Sequence, residues 1–188
     1  MKKSYSEITP YVKELAALSC SNNNIKPEMY PEHNVKRGLR DLDGNGVVTG
    51  LTEISHIKAK EMGPNGETIP CEGELYFRGY NVRNLVSGFL NKDRFGFEEI
   101  IYLLLFSELP TQKQLDKFKE TLADYRSLPK SFVRDMILKA PSKDMMNVLS
   151  RSVLALYSYD DNPDDTSVEN VLRQSLQLIS MFPLLAVY

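Results

Sequence analysis

From Val82 to the last residue, apolar side chains recur every three or four positions, and no other feature constrains the fold of this chain as strongly. Val82, Leu85, Val86 and Phe89 share one helical face, and Leu115, Phe118, Leu122 and Tyr125 share a second. Met145, Met146, Leu149, Val153, Leu156 and Tyr157 form a third, and Val168, Val171, Leu172, Leu176, Ile179 and Phe182 a fourth. Phe97 to Phe106 is apolar on nearly every side from Ile100 onward, which predicts a helix buried among other helices and stopped at Leu109-Pro110. Thr111 with Gln114, and Thr166 with Glu169, have the spacing of capping boxes and predict the next helix starts. Phe132 to Leu138 reads as a shorter helical piece, and Asp160 to Asp165 as a solvated acidic loop.

Ahead of Tyr80 the pattern differs. Ile8, Tyr11, Val12, Leu15 and Leu18 predict an amphipathic helix over residues 6–18, with Pro10 in its first turn and the polar stretch from Ser19 to Asn24 ending it. Pro27, Pro31 and Asn34 keep the next segment irregular. Asp43-Gly44-Asn45-Gly46 is a strong turn signal before the β-favouring run Val47 to Ile54, so Lys36 to Leu42 is expected to pair with that run as a hairpin. Met62 to Gly66 is a second turn, and Leu75, Tyr76 and Phe77 predict a strand over residues 74–78. The expected organisation is a helical leader over 1–34, a small β region over 35–80 and a helical part over 81–188. The fold class is therefore mainly α, multi-helical, with a small β-hairpin region near the N-terminus.

Composition narrows the function classes. With 188 residues, 42% of them hydrophobic, the chain is long enough to bury roughly 70% of its unfolded surface without disulfides or metal. The 23 basic and 25 acidic side chains leave no positive field for a phosphate backbone, which argues against nucleic acid and anionic membrane as partners. The apolar runs fall far short of the roughly 20 residues that span a bilayer. Cys20 and Cys71 form no CxxC pair, and Met1-Lys2-Lys3 is followed by Ser4, Ser6, Glu7 and Thr9 where an export signal needs an apolar core. A cytoplasmic location is the expectation.

The residues offer no catalytic constellation. Asp41-Leu42-Asp43-Gly44-Asn45-Gly46 fits the first half of a calcium-binding EF-hand loop, but the twelfth position falls on Thr52, with Glu53 one residue too late for the bidentate carboxylate. A plain hairpin turn explains the same residues. His33 and His56, the only histidines, lie at no triad or metal spacing. Lys36, Arg37, Arg40, Arg78 and Arg83 form an anion site if the fold gathers them; the alternative is pairing with Asp41, Asp43, Glu53 and Glu74. Met145, Met146 and Met181 read as core or interface filling.

Lys36-Arg37-Gly38-Leu39-Arg40-Asp41 and Val48 to Ser55 resemble the amino-terminal part of citrate synthase. The likeness continues through Leu75-Tyr76-Phe77-Arg78-Gly79-Tyr80, where the family usually reads Tyr-Arg-Gly-Tyr, and through Phe97 to Phe106 with Glu108-Leu109-Pro110-Thr111, its most specific stretch. Leu128-Pro129 and Val153 to Leu156 keep the register to Tyr188. One departure is Asp144-Met145-Met146, where the family often has His-Pro-Met.

The resemblance implies a mostly helical homodimer with a large and a small mobile domain, this chain contributing the front of the large domain. It implies a cytoplasmic acyltransferase of the tricarboxylic acid cycle that condenses acetyl-CoA with oxaloacetate and hydrolyses the thioester, or a relative such as 2-methylcitrate synthase. That chemistry needs a carboxylate base, histidines and dicarboxylate-holding arginines. In the family these come from the later part of the chain, so no catalytic residue, cofactor-binding residue or metal ligand is assigned here. Acetyl-CoA enters as a substrate of the parent enzyme, and no covalently bound cofactor is expected. The apolar run Leu184 to Tyr188, with no polar tail, further leads us to expect a fragment that is inactive alone and self-associates through apolar helices. A non-catalytic helical dimerisation or interaction module is the alternative.

Overall fold

A computed structural model describes residues 6–35 and 47–188. It is mainly helical with one small antiparallel sheet, in the element order α1 (Pro10–Ser21), α2 (Met29–Glu32), β1 (Ser55–Met62), β2 (Thr68–Phe77), β3 (Tyr80–Asn81), α3 (Val82–Leu90), α4 (Phe97–Phe106), α5 (Gln112–Tyr125), a π-helix (Val133–Leu138), α6 (Met145–Tyr157) and α7 (Val168–Val187). The chain divides into two compact units, one of residues 1–18 with 112–188 and one of residues 19–111.

In the first unit, Pro10 opens α1, where its missing N–H costs nothing, and Thr9 Oγ1 accepts from the Val12 N–H at 3.3 Å. The helix runs three residues past Leu18, because Ser19 to Ser21 are not breakers. Phe118 and Leu122 of α5 and Leu172 and Leu176 of α7 are buried. A second cluster joins Phe132, Ile137, Leu156, Met181 and Leu185. The expected piece at Phe132 to Leu138 is a π-helix, entered through Ser131 at φ 67°. Both ends of α7 also differ from the sequence reading. Ser167, not Thr166, caps α7, accepting from the Asn170 N–H at 3.4 Å. And α7 continues through Pro183 to Val187, since burial of Met181 and Leu185 on either side of the proline outweighs the lost hydrogen bond.

In the second unit the sheet has the order β1-β2-β3. β1 and β2 pair from Ser55↔Phe77 to Met62↔Thr68, with a bulge between Lys58 and Lys60, around the turn expected at Met62 to Gly66. The hairpin expected from Lys36 to Leu42 with Val47 to Ile54 is not formed by its second arm, which holds no strand; the first arm lies outside the described residues. Val48 and Ile54 are about half exposed, so their β-propensity finds no surface to pack on, and the first strand among the described residues is the charged Ser55–Met62. The segment expected to be irregular contains the single turn α2.

The buried helix α4 appears where its sequence requires, with Tyr102, Leu103 and Phe106 essentially inaccessible and the Tyr102 and Phe106 rings edge to face at 4.7 Å. A helix end leaves carbonyls without partners, and a buried one must find them locally. The Leu103 carbonyl accepts from the Ser107 N–H at 2.9 Å, Leu104 from Arg78 Nε and Nη2 at 3.2 and 2.9 Å, Leu105 from Ser19 Oγ at 3.1 Å and Phe106 from Asn22 Nδ2 at 2.6 Å. Arg78 and Gly79 form the two-residue turn between β2 and β3, with φ of 47° and 82°, and that turn delivers the guanidinium to the negative end of α4.

Candidate functional site

The polar chemistry of the first unit gathers on one face of α7. Asn170, Arg173, Gln177 and Ser180 recur at three- and four-residue spacing and are all buried, Arg173 completely. A buried guanidinium requires partners on each of its nitrogens. Nε and Nη2 donate to Asn170 Oδ1 at 3.0 and 2.6 Å, Nη1 donates to Gln177 Oε1 at 2.8 Å, and Nη2 reaches Asp160 Oδ2 at 2.6 Å. Asn170 Nδ2 in turn donates to the carbonyls of Asn162 and Asp165 at 2.9 and 2.8 Å, tying the loop before α7 to the helix.

Asp160 receives more than the arginine. Ser6 Oγ and the Asn162 N–H donate to its Oδ1 at 2.9 and 3.0 Å, and Gln174 Nε2 donates to its Oδ2 at 3.1 Å. The acidic run from Asp160 to Asp165 is thus not simply a solvated loop: the Asp160 side chain is only 6% exposed. Burial pushes its carboxyl upward, but the hydrogen bonds from Arg173, Asn162, Gln174 and Ser6 prevail and lower it to about 2. At neutral pH the pair is an ionised carboxylate facing a guanidinium, a charged contact that fastens the loop before α7 to the helix. The available signal was the polar series Asn170, Arg173, Gln177 recurring at helical spacing beside the buried Leu172 and Leu176.

A separate cleft of about 460 Å3 opens between α1 and α5, with Glu7, Glu14, Glu120 and Asp124 among its lining residues. Its one lysine is already engaged: Lys117 Nζ lies 3.8 Å from the Tyr11 ring centre and 3.3 Å from Glu14 Oε2.

Among the described residues, those singled out in the sequence do not assemble into one site. Arg78 pairs with Glu53 at 3.7 Å besides capping α4, while Arg83 pairs with Glu72 at 3.0 Å rather than with Glu74. Lys36, Arg37 and Arg40 lie outside the described residues, as do Asp41 to Gly46 of the calcium-type loop; Glu53, next to that loop's end, is engaged by Arg78 and by the Asn24 N–H at 3.3 Å. His33 is exposed at the end of α2, and His56 is exposed on β1, 6.2 Å from the Tyr76 ring. Met181 is core, whereas Met145 and Met146 are exposed. Among the described residues no group of three or more His, Cys, Asp or Glu is placed to hold a metal ion, and no helix is long and apolar enough to cross a membrane.

Comparison with known proteins gives the lineage. The profile of the family described as "Citrate synthase, C-terminal domain" matches residues 41–188. The chain is 31% identical over 151 residues to 2-methylcitrate synthase 1 of Corynebacterium glutamicum, covering 80% of this chain and 34% of that protein. It is 34% identical over 129 residues to citrate synthase of Saccharolobus solfataricus, covering 68% of this chain and 28% of that protein. The chain spans about a third of the length of these relatives. The family match runs through α4 and its Arg78 cap, the π-helix and the whole Arg173 face of α7, and the chain belongs to the citrate synthase family.

Proposed function

We propose that these residues supply the front part of the large domain of a citrate synthase-type acyltransferase, whose parent reaction joins acetyl-CoA, oxaloacetate and water to give citrate and CoA, or forms 2-methylcitrate from the homologous thioester. The family match over residues 41–188 carries this reading. Although the matched profile bears a C-terminal label, the motifs from Lys36 to Thr111 resemble the stretch that opens the family's sequences, and they guide the placement. The best-defined polar site, around Arg173, holds a structural carboxylate and contains no histidine. In the family these motifs resemble, the condensation's acid and base groups come from later parts of the fold, and on this reading the 188 residues turn over no substrate alone. Acetyl-CoA is a substrate, the assembly is a cytoplasmic homodimer, and its product feeds the tricarboxylic acid cycle.

A thiol-release assay with acetyl-CoA and oxaloacetate, on protein free of host enzyme, is expected to read background; turnover by the purified chain refutes the inactivity. A second reading, a non-catalytic helical interaction module, is favoured by the apolar side chains that α6 leaves open, Met146 at 71% and Leu154 at 75% exposure. Light scattering separates the two: a stable, defined oligomer supports the module, whereas aggregation relieved by adding the complementary part of the family fold supports the enzyme segment.

A further inference from the structure

Inside the first unit, four hydrogen-bond donors converge on a single carboxylate that belongs to the chain itself. Ser6 Oγ, the Asn162 N–H, Arg173 Nη2 and Gln174 Nε2 all lie within 3.1 Å of an Asp160 oxygen. The guanidinium of this receptor is held independently of what it binds. Asn170 accepts from two guanidinium nitrogens of Arg173 and Gln177 accepts from the third, so the donor facing Asp160 stays aimed whether or not that side chain is present. Donors fixed in advance lose little entropy on binding, and a charged acceptor makes each bond stronger. Beside the carboxylate lies a cavity of about 190 Å3, lined by Asp160, Gln174 and Gln177 and by the apolar Val153, Leu156 and Leu178. That lining accommodates a short hydrocarbon tail.

We infer that the Arg173 cluster is a small-carboxylate site which the chain fills with its own Asp160, making this side chain a latch that a free monocarboxylate can replace. The latch holds two segments together. Ser6 Oγ donates to Asp160 Oδ1 and accepts the Asp161 N–H at 2.7 Å, so residues around Ser6 and the loop of residues 158–167 are fastened at one point. Loss of the carboxylate removes the ties of Ser6 and of this loop to Arg173 and Gln174, loosening both segments, while the Asn170 bonds to the Asn162 and Asp165 carbonyls and the Asn170–Arg173–Gln177 network stay in place.

The test is chemical rescue of the 188-residue chain carrying Asp160→Gly, with sodium formate as the probe and sodium chloride at equal ionic strength as the control. Formate is expected to raise the variant's thermal midpoint by about 2–4 °C in a saturable manner and to slow amide exchange over residues 158–167, with no such difference between the two salts in the unsubstituted chain. Equal responses of the variant to both salts overturn the assignment. If the variant is recovered unfolded, refolding in formate but not in chloride supports it, and failure in both overturns it. Ser6→Ala gives an independent reading, because it keeps the carboxylate and removes the bridge: amide exchange at Asp161 is expected to rise at least about ten-fold, one pK-scale unit of protection, and unchanged exchange there overturns the latch.

Discussion

Replacing Asp160 by Asn keeps the side chain's size while removing its charge and one of its two acceptor oxygens, and so tests what the carboxylate contributes to the Arg173 cluster. The Arg173 side chain is fully buried and that of Asp160 only 6% exposed, so solvent does little to screen the pair. A buried guanidinium that loses its counter-charge costs about 3–5 kcal/mol, whatever the intact pair is worth relative to an apolar core. The acid limb can be worked out separately. The Asp160 carboxyl sits at about 2 against an ordinary 3.8. A depressed carboxylate stabilises the fold above its unfolded value and loses that contribution as pH falls through the folded one. The difference corresponds to about 2 kcal/mol present above pH 4, of which about half has gone by pH 3. Unfolding free energies of the parent chain and Asp160→Asn, obtained from urea titrations at pH 7, 4 and 3, are expected to differ by at least about 3 kcal/mol at pH 7 and to converge on acidification. A loss below about 1 kcal/mol at pH 7, or a gap that stays constant down to pH 3, would mean that Asp160 is not the ionised partner of Arg173.

Other substitutions test the packing and the helix end. Leu176→Ala, at a fully buried position of α7, is expected to cost about 2–5 kcal/mol by urea denaturation. Arg78→Ala removes the donor to the Leu104 carbonyl and is expected to cost about 1–3 kcal/mol and to speed amide exchange at the end of α4. By contrast Arg83→Ala, whose side chain is 78% exposed, stays within about 0.5 kcal/mol. Leu154→Glu on the open face of α6 is expected to leave the urea midpoint unchanged and to reduce association in light scattering; unchanged association removes that face as the contact.

The helices were legible because their signals are local. Phe97 to Phe106 reads as a helix with a buried face and is one, Glu98 and Glu99 in its first turn and Tyr102, Leu103 and Phe106 in the core. The turn at Met62 to Gly66 was equally plain, yet its first strand was not, because Ser55–Met62 carries Lys58, Lys60 and Glu61 and buries nothing, leaving no period to detect. The same gap hid Asp160. In sequence it is one of four aspartates in a loop, and what distinguishes it is an arginine thirteen residues away and a serine 154 residues away. No spacing rule connects such positions.

Periodicity and motif were enough to establish a mainly α chain of the citrate synthase family, with helix limits good to a few residues. Side-chain burial decided the rest. It turned Arg78 from a candidate anion ligand into the cap of α4, carried α7 through Pro183, and converted an acidic loop into a carboxylate fastened to Arg173. Helical pattern depends on neighbours three or four residues apart, whereas the partners that neutralise a buried charge are set by how helices pack.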